Sequence, residues 1–295
     1  MKCNKPWRVV VMDIQWYPGH MVKAKRKIRE ELKLVDIVIE LLDARIPISS
    51  RNPDVDVIVG DKKRIVALNK SDMADPSTNL KWKKYFEKKG IPAILVNSIK
   101  GTGIKEIFAV SKELMKDEIE KLQKKGLLNK TIRALVMGVP NVGKSTLINK
   151  MAKRSIAQTG DRPGITKSKQ WIKVSKNFEL LDTPGILWPK FEDEKVGLHL
   201  AFTGAIKDEI LDIEELSRKF MLKAIKEFPD KINKRYNVEL DSNDVDSIIN
   251  IIGRKRGCIL PGDEIDMKRT ASLILDDFRS GRIGLISLEK PEDIL

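Results

Sequence analysis

Gly138 to Thr146 reads "GVPNVGKST", directly after the apolar run Ile132 to Met137 and at the start of a helically spaced segment, Lys144 to Ala152. A glycine-containing turn between a strand and a helix N-terminus lets backbone N–H groups point inward at phosphate oxygens, with the helix dipole adding positive potential. Gly138 and Gly143 permit the turn. Lys144 can reach the β- and γ-phosphate oxygens, and the Ser145 hydroxyl suits Mg²⁺. Asn141, Val142 and Thr146 complete the candidate phosphate-binding set.

The stretch specifies phosphate but not base. That choice falls to Ala67 to Asp72, "ALNKSD", which closes another strand-length run. The Asp72 carboxylate can accept both N1–H and the exocyclic amine of guanine, whereas adenine offers an acceptor at the first of these positions. A site built around such a pair rejects the wrong partner by roughly 10⁴ to 10⁵. Asn69, Lys70 and Ser71 belong to the same element, and the end of the next strand-length run carries Asn97-Ser98-Ile99-Lys100. This resembles the SAK element that supports guanine through a backbone N–H, with Ile99 in place of alanine.

Downstream, "LLDTPG" supplies Asp182, suited to the outer shell of Mg²⁺, and Gly185, whose N–H can sense a γ-phosphate. In "TGDRPGITKS" Thr166 is the expected residue closing on Mg²⁺ and γ-phosphate, with Thr159 and Thr183 as weaker candidates. Five guanine-nucleotide motifs are present, in the order fourth, fifth, first, second, third. Circular permutation accounts for that order, because new termini in an exposed loop leave the buried sheet unchanged.

Outward from the motifs, strand-length runs at 37–42, 64–68, 93–96, 132–137, 170–174 and 178–181 alternate with helical segments at 79–89, 104–124 and 144–152. That alternation predicts a doubly wound, mostly parallel sheet. From about Asp208 only helical spacing remains. The expected organisation is a permuted nucleotide-binding α/β domain over residues 1–207, including a basic N-terminal helix, and a small all-helical domain over 208–295.

The 295 residues carry a net charge of +14; from Leu200 onward 16 Lys and Arg face 19 Asp and Glu, so the first 199 residues carry +17. "KAKRKIR" (Lys23 to Arg29), "KWKKYFEKK" (Lys81 to Lys89) and "KLQKKG" (Lys121 to Gly126) concentrate the excess. Clustered cations gain binding free energy by releasing phosphate counterions, so RNA is the expected partner beyond the nucleotide. Lys-rich helices also serve simply as solvated faces. The longest apolar stretch is interrupted by Glu40 and Asp43, so no membrane span is expected. The two cysteines, Cys3 and Cys258, fit neither a disulfide framework nor metal-site spacing, and a reducing cytoplasm is expected. The first residues are too short and too weakly apolar for a secretory signal, and Met12 is an alternative start.

With "WYPGHMVKAKRKI", "LLDARIPISSRNP", "LNKSD", "GVPNVGKST", "DRPGITK" and "LDTPGIL" on one chain, the sequence resembles the circularly permuted GTPases, and within them the ribosome biogenesis GTPase A family. The resemblance covers essentially the whole chain. It implies a GTP-hydrolysing assembly factor that binds the large ribosomal subunit and its rRNA late in maturation; a monomer is expected, with the helical domain contacting RNA or the ribosome. Two other readings stay open: an RNA-binding scaffold holding GTP with little turnover, and a permuted GTPase acting on another RNA.

Where many GTPases place a water-orienting glutamine after DTPG, this chain has Ile186. His20 and His199 are its only histidines. His199 sits in an apolar helical stretch and is expected to pack or cap. His20 follows Pro18-Gly19, a turn able to swing it toward the γ-phosphate, and the resemblance implies a catalytic role for it beside Lys144 and Thr166. The resemblance also implies K⁺ at Asn141, although asparagine suits a left-handed turn on its own account.

Overall fold

A computed structural model describes residues 28–126, 130–153, 170–182, 193–238 and 244–294. Six strands, β1 (Ile37–Asp43), β2 (Lys63–Asn69), β3 (Ala93–Leu95), β4 (Ile132–Met137), β5 (Gln170–Ser175) and β6 (Phe178–Asp182), form one sheet in the order β3-β2-β1-β4-β6-β5. All neighbours are parallel except the β5–β6 pair at the edge, which turns through Lys176 and Asn177. All seven residues of β1 are buried. This is the signature of a central parallel strand covered on both faces, and it explains why Ile37 to Leu42 reads as a continuous run rather than an alternation.

The connecting helices are α1 (Val55–Val59), α2 (Pro76–Lys88), α3 (Ile104–Leu114), α4 (Lys116–Lys124) and α5 (Lys144–Ala152). Asp75 starts α2 as N-cap, its side chain accepting from Thr78 N–H at 2.8 Å, with Pro76 at the first helical position. The helix seats Trp82 and Phe86 among Leu42, Val66, Leu68 and Ala93. The single helix expected over 104–124 is two, parted at Met115. Met115 extends the buried stripe Ile104, Ile107, Ser111 into the core, whereas α4 buries nothing.

The connections from β1 through β2 to β3 run one way along the sheet, and those from β4 to β6 run the other. The reversal between β1 and β4 opens a crevice beyond the carboxyl ends of the strands, the usual ligand position in a doubly wound fold. The phosphate loop leaves β4, "NKSD" closes β2, "NSIK" follows β3 and Asp182 ends β6. Sheet position thus gathers the motifs at one edge whatever their order in the chain.

A second compact unit lies within Pro189–Ile286, while Ser287–Leu295 belongs with the α/β unit. Its helices are α6 (Glu194–Phe202), α7 (Ile213–Glu227), α8 (Pro229–Tyr236), α9 (Val245–Lys255) and α10 (Met267–Arg279). Phe220 lies between Phe202 and Phe278, with ring centroids 5.5 and 4.8 Å away. Buried Asp277 takes the Arg235 guanidinium at 2.8 and 2.9 Å and Arg282 at 3.0 Å. Asp193, Asp212, Asp244 and Asp266 each cap a helix, so the aspartates in this acidic stretch act as start signals. These units depart from the boundaries expected at 207/208 and 295. Phe202 already belongs to the helical core, the Arg279 guanidinium holds Asp208 at 2.6 and 2.7 Å, and the final residues bond to the sheet domain.

Candidate functional site

The phosphate loop is shaped by two glycines with different tasks. A Cβ at Gly138 would lie 2.4 Å from the Leu41 carbonyl, so the loop can leave β4 against β1 only without a side chain there. Gly143 caps α5 in a left-handed conformation, φ 103°, and a Cβ would meet Asn69 Nδ2 at 2.4 Å. Helix α5 then begins at Lys144, so its first-turn N–H groups have no acceptor within the helix and face the loop. Lys144 is buried, its Nζ donating to the carbonyls of Gly138 at 3.1 Å and Val139 at 2.8 Å. Ser145 and Thr146 are half-buried at the head of the same helix.

Residues far apart in sequence join this loop to the candidate base-reading loop. Asn69 Nδ2 donates to the Val142 carbonyl at 2.7 Å, and its Oδ1 accepts from Ser98 N–H at 3.1 Å and Ser98 Oγ at 2.8 Å. One buried amide therefore ties together the ends of β2 and β3 and the phosphate loop. Lys70, itself left-handed at φ 57°, donates from Nζ to the Asn141 carbonyl at 2.9 Å. Ser71 donates to the Val96 carbonyl from N–H at 3.1 Å and from Oγ at 2.9 Å, while Asn79 Nδ2 holds the Ser71 carbonyl at 2.9 Å. Asn97 Oδ1 accepts from Lys100 N–H at 2.8 Å, closing the turn that carries Ile99. Asp72 stands exposed at the end of this braced loop, with the carboxylate open to a ligand.

Two residues outside the candidate set also build the site. Asp43 ends β1 opposite Asn69 and is fully buried. It accepts from Arg45 Nε at 2.9 Å and Nη2 at 2.8 Å, and pairs with Lys70 Nζ at 3.1 Å. Burial alone would raise the Asp43 carboxyl; the Arg45 and Lys70 charges beside it prevail and hold it below the usual carboxylate range. The available signal is an Asp-Ala-Arg closing an apolar run, since an acid in so buried a place requires a partner.

Asp182 is the last residue of β6, opposite Val136 of β4 and Gln170 of β5. His20, Thr159, Thr166, Thr183 and Gly185 lie outside the described residues, as does most of "KAKRKIR". His199 is buried on α6, its ring centroid 6.4 Å from that of Phe202, consistent with packing. Among the described residues no group of three His, Cys, Asp or Glu side chains could hold a metal. Among the same residues no helix is long and apolar enough to cross a membrane.

A ribosome biogenesis GTPase A of Bacillus licheniformis is 52% identical over 284 residues, covering 96% of this chain and 100% of that protein. The chain belongs to the ribosome biogenesis GTPase A family. A Thermotoga maritima member is 33% identical over 95% of this chain and 96% of its own length. The family model described as 50S ribosome-binding GTPase matches residues 133–250. The GNP-bound structure of YlqF from T. maritima is 30% identical and superposes with a TM-score of 0.63, covering 92% of this chain and 99% of that one. The GDP-bound YlqF gives 0.64 at 29% identity, over 91% and 100%. The fold is therefore that of a circularly permuted GTPase, and the chain is a ribosome-assembly GTPase that hydrolyses GTP to GDP and phosphate.

Proposed function

We propose that the protein binds the large ribosomal subunit during late maturation and that the subunit stimulates its GTP hydrolysis. The observation carrying this reading is the match of residues 133–250 to the 50S ribosome-binding GTPase family, and its nucleotide half is supported by the bonding of the loop at Asn69 and Lys70 to the phosphate loop at Val142 and Asn141. That coupling makes base recognition and phosphate binding one rigid element. The +17 charge of the first 199 residues supplies the attraction for a large phosphate polyanion.

In this reading Asp72 reads guanine N1–H and the exocyclic amine, Asn97 and Ser98 support the base, and Asn69, Lys70 and Ser71 hold the loop. Residues Asn141 to Thr146 cradle the phosphates, Lys144 neutralises the charge that develops between them, and the Gly185 N–H senses the γ-phosphate. The half-buried Ser145 hydroxyl at a helix N-terminus, where no acidic cluster occurs among the described residues, suits an ion held mainly by phosphates and water. Mg²⁺ is such an ion; it would be held by Ser145 and Thr166, with Asp182 acting through water, and would withdraw charge from the β- and γ-phosphates. The helical unit contributes RNA contacts through "RKFMLKAIKEFPDKINKR" and "GRKRG". A cytoplasmic monomer suits this work.

GTP turnover, measured alone, with large subunits and with small subunits, tests the proposal. A rise of at least about ten-fold with large subunits only, roughly 1.4 kcal/mol off the barrier, is expected. No rise excludes stimulation, and a rise with small subunits redirects the function.

Asn141 bears on K⁺. Its left-handed φ of 57° is a sufficient reason for an asparagine in the loop. A K⁺ held by its side chain would add transition-state charge stabilisation. Turnover in KCl is expected to exceed that in NaCl at matched ionic strength by about ten-fold. Equal rates would leave Asn141 as a turn residue only.

A further inference from the structure

The segment after Ile286 leaves the helical unit and bonds to both loops that flank the base-reading element. Ser287 Oγ accepts from Asp75 N–H at 3.1 Å, three residues beyond Asp72. Leu288 N–H donates to the Arg45 carbonyl at 2.9 Å. The Glu289 carboxylate, only 6% exposed, accepts from Ile48 N–H at 2.8 Å, Ser49 N–H at 3.1 Å and the Ser49 hydroxyl. Its backbone carbonyl accepts from the indole N–H of buried Trp82 at 3.2 Å, and Glu292 pairs with Lys81 at 2.9 Å.

From Leu288, next to Glu289 in the chain, a line of contacts runs inward. Arg45, held at its carbonyl by Leu288, grips Asp43; Asp43 pairs with Lys70; Lys70 holds the Asn141 carbonyl in the phosphate loop. Each link is a hydrogen bond or an ion pair, and most involve a charge, which makes them shorter and stronger than neutral bonds. Glu289 anchors the outer end. Without it the N–H groups of Ile48 and Ser49 lose a buried anionic acceptor, and the turn after β1 loses one of its anchors.

We propose that Glu289 is a positioning residue of the nucleotide site, setting guanine-nucleotide affinity through Arg45, Asp43 and Lys70. The inference rests on residues 69–72 and 138–146 forming that site. A role confined to fold stability would lower the unfolding midpoint and leave affinity unchanged in the folded protein; a positioning role weakens binding well below that midpoint.

The test is titration of the full chain with a fluorescent GDP. Wild type must bind, and failure there overturns the site assignment itself. With wild type binding, Glu289→Ala is expected to weaken GDP about ten-fold at a temperature where circular dichroism shows it folded. Glu289→Gln, whose amide oxygen still accepts, is expected to weaken it less. Affinity within two-fold of wild type for folded Glu289→Ala overturns the proposal. Should that variant not fold, hydrogen exchange on wild type decides, because coupling between two sites is reciprocal. GDP is then expected to slow exchange of the Leu288 and Ser49 amides, and unchanged exchange at both overturns the proposal.

Discussion

Asp72→Asn is expected to lower GDP affinity by about 10⁴ and to make a xanthine nucleotide the preferred ligand. The carboxylate accepts two hydrogens from guanine. An amide keeps one acceptor and turns a donor toward the guanine amine, leaving two donors opposed, whereas xanthine has a carbonyl at that carbon which the amide can satisfy. The surroundings favour a clean exchange of partners. Ser71 is bonded to Val96 through N–H and hydroxyl, Asn79 holds the Ser71 carbonyl, and Met73 N–H returns to Lys70 at 2.9 Å. Asp72 itself is exposed, so the substitution leaves the braced loop and the core intact. Parallel titrations with GDP, XDP and ADP check it. Wild-type affinity for ADP equal to that for GDP, or unchanged GDP binding by the variant, would defeat the assignment.

His20→Ala is expected to keep GDP affinity and large-subunit binding while losing about 10² to 10⁴ of subunit-stimulated turnover, the span typical of a general acid–base group. The need for such a group comes from Ile186, which follows the DTPG motif and can neither donate nor accept a hydrogen bond. Some other polar atom has to orient the attacking water. His199 is buried in the helical unit near Phe202. His20 precedes a basic segment and follows Pro18-Gly19, so a bound partner can bring the imidazole to the γ-phosphate. Single-turnover assays with saturating subunits separate chemistry from binding. Normal stimulated turnover in the variant would move the water-orienting role to the ribosome.

The strands were legible because their signals are local. Ile37 to Leu42 and Ile132 to Met137 are short apolar runs bounded by turns, and both lie in the sheet centre. The split at Met115 was not legible, because a helical stripe looks the same in sequence whether the helix continues or breaks. Among site residues, Asn69 and Gly143 carried motif signals, but their direct opposition did not show. Asp43 and Arg45 were visible as letters in "LLDAR" without a stated task.

By itself, then, the sequence determined where six strands lie to within a residue or so at each end, and which loops carry phosphate- and guanine-type motifs, since each depends on a few neighbouring residues and a local period. It also determined that the motif order requires permutation. Only the tertiary structure decided how the two loops are joined through Asn69 and Lys70, where the helical unit begins, and that Glu289 grips Ser49, 240 residues earlier. The reason is that a buried carboxylate is tolerated wherever donors converge on it, and convergence belongs to the folded chain. No periodicity or spacing near Glu289 could show that its partners are the amides after β1.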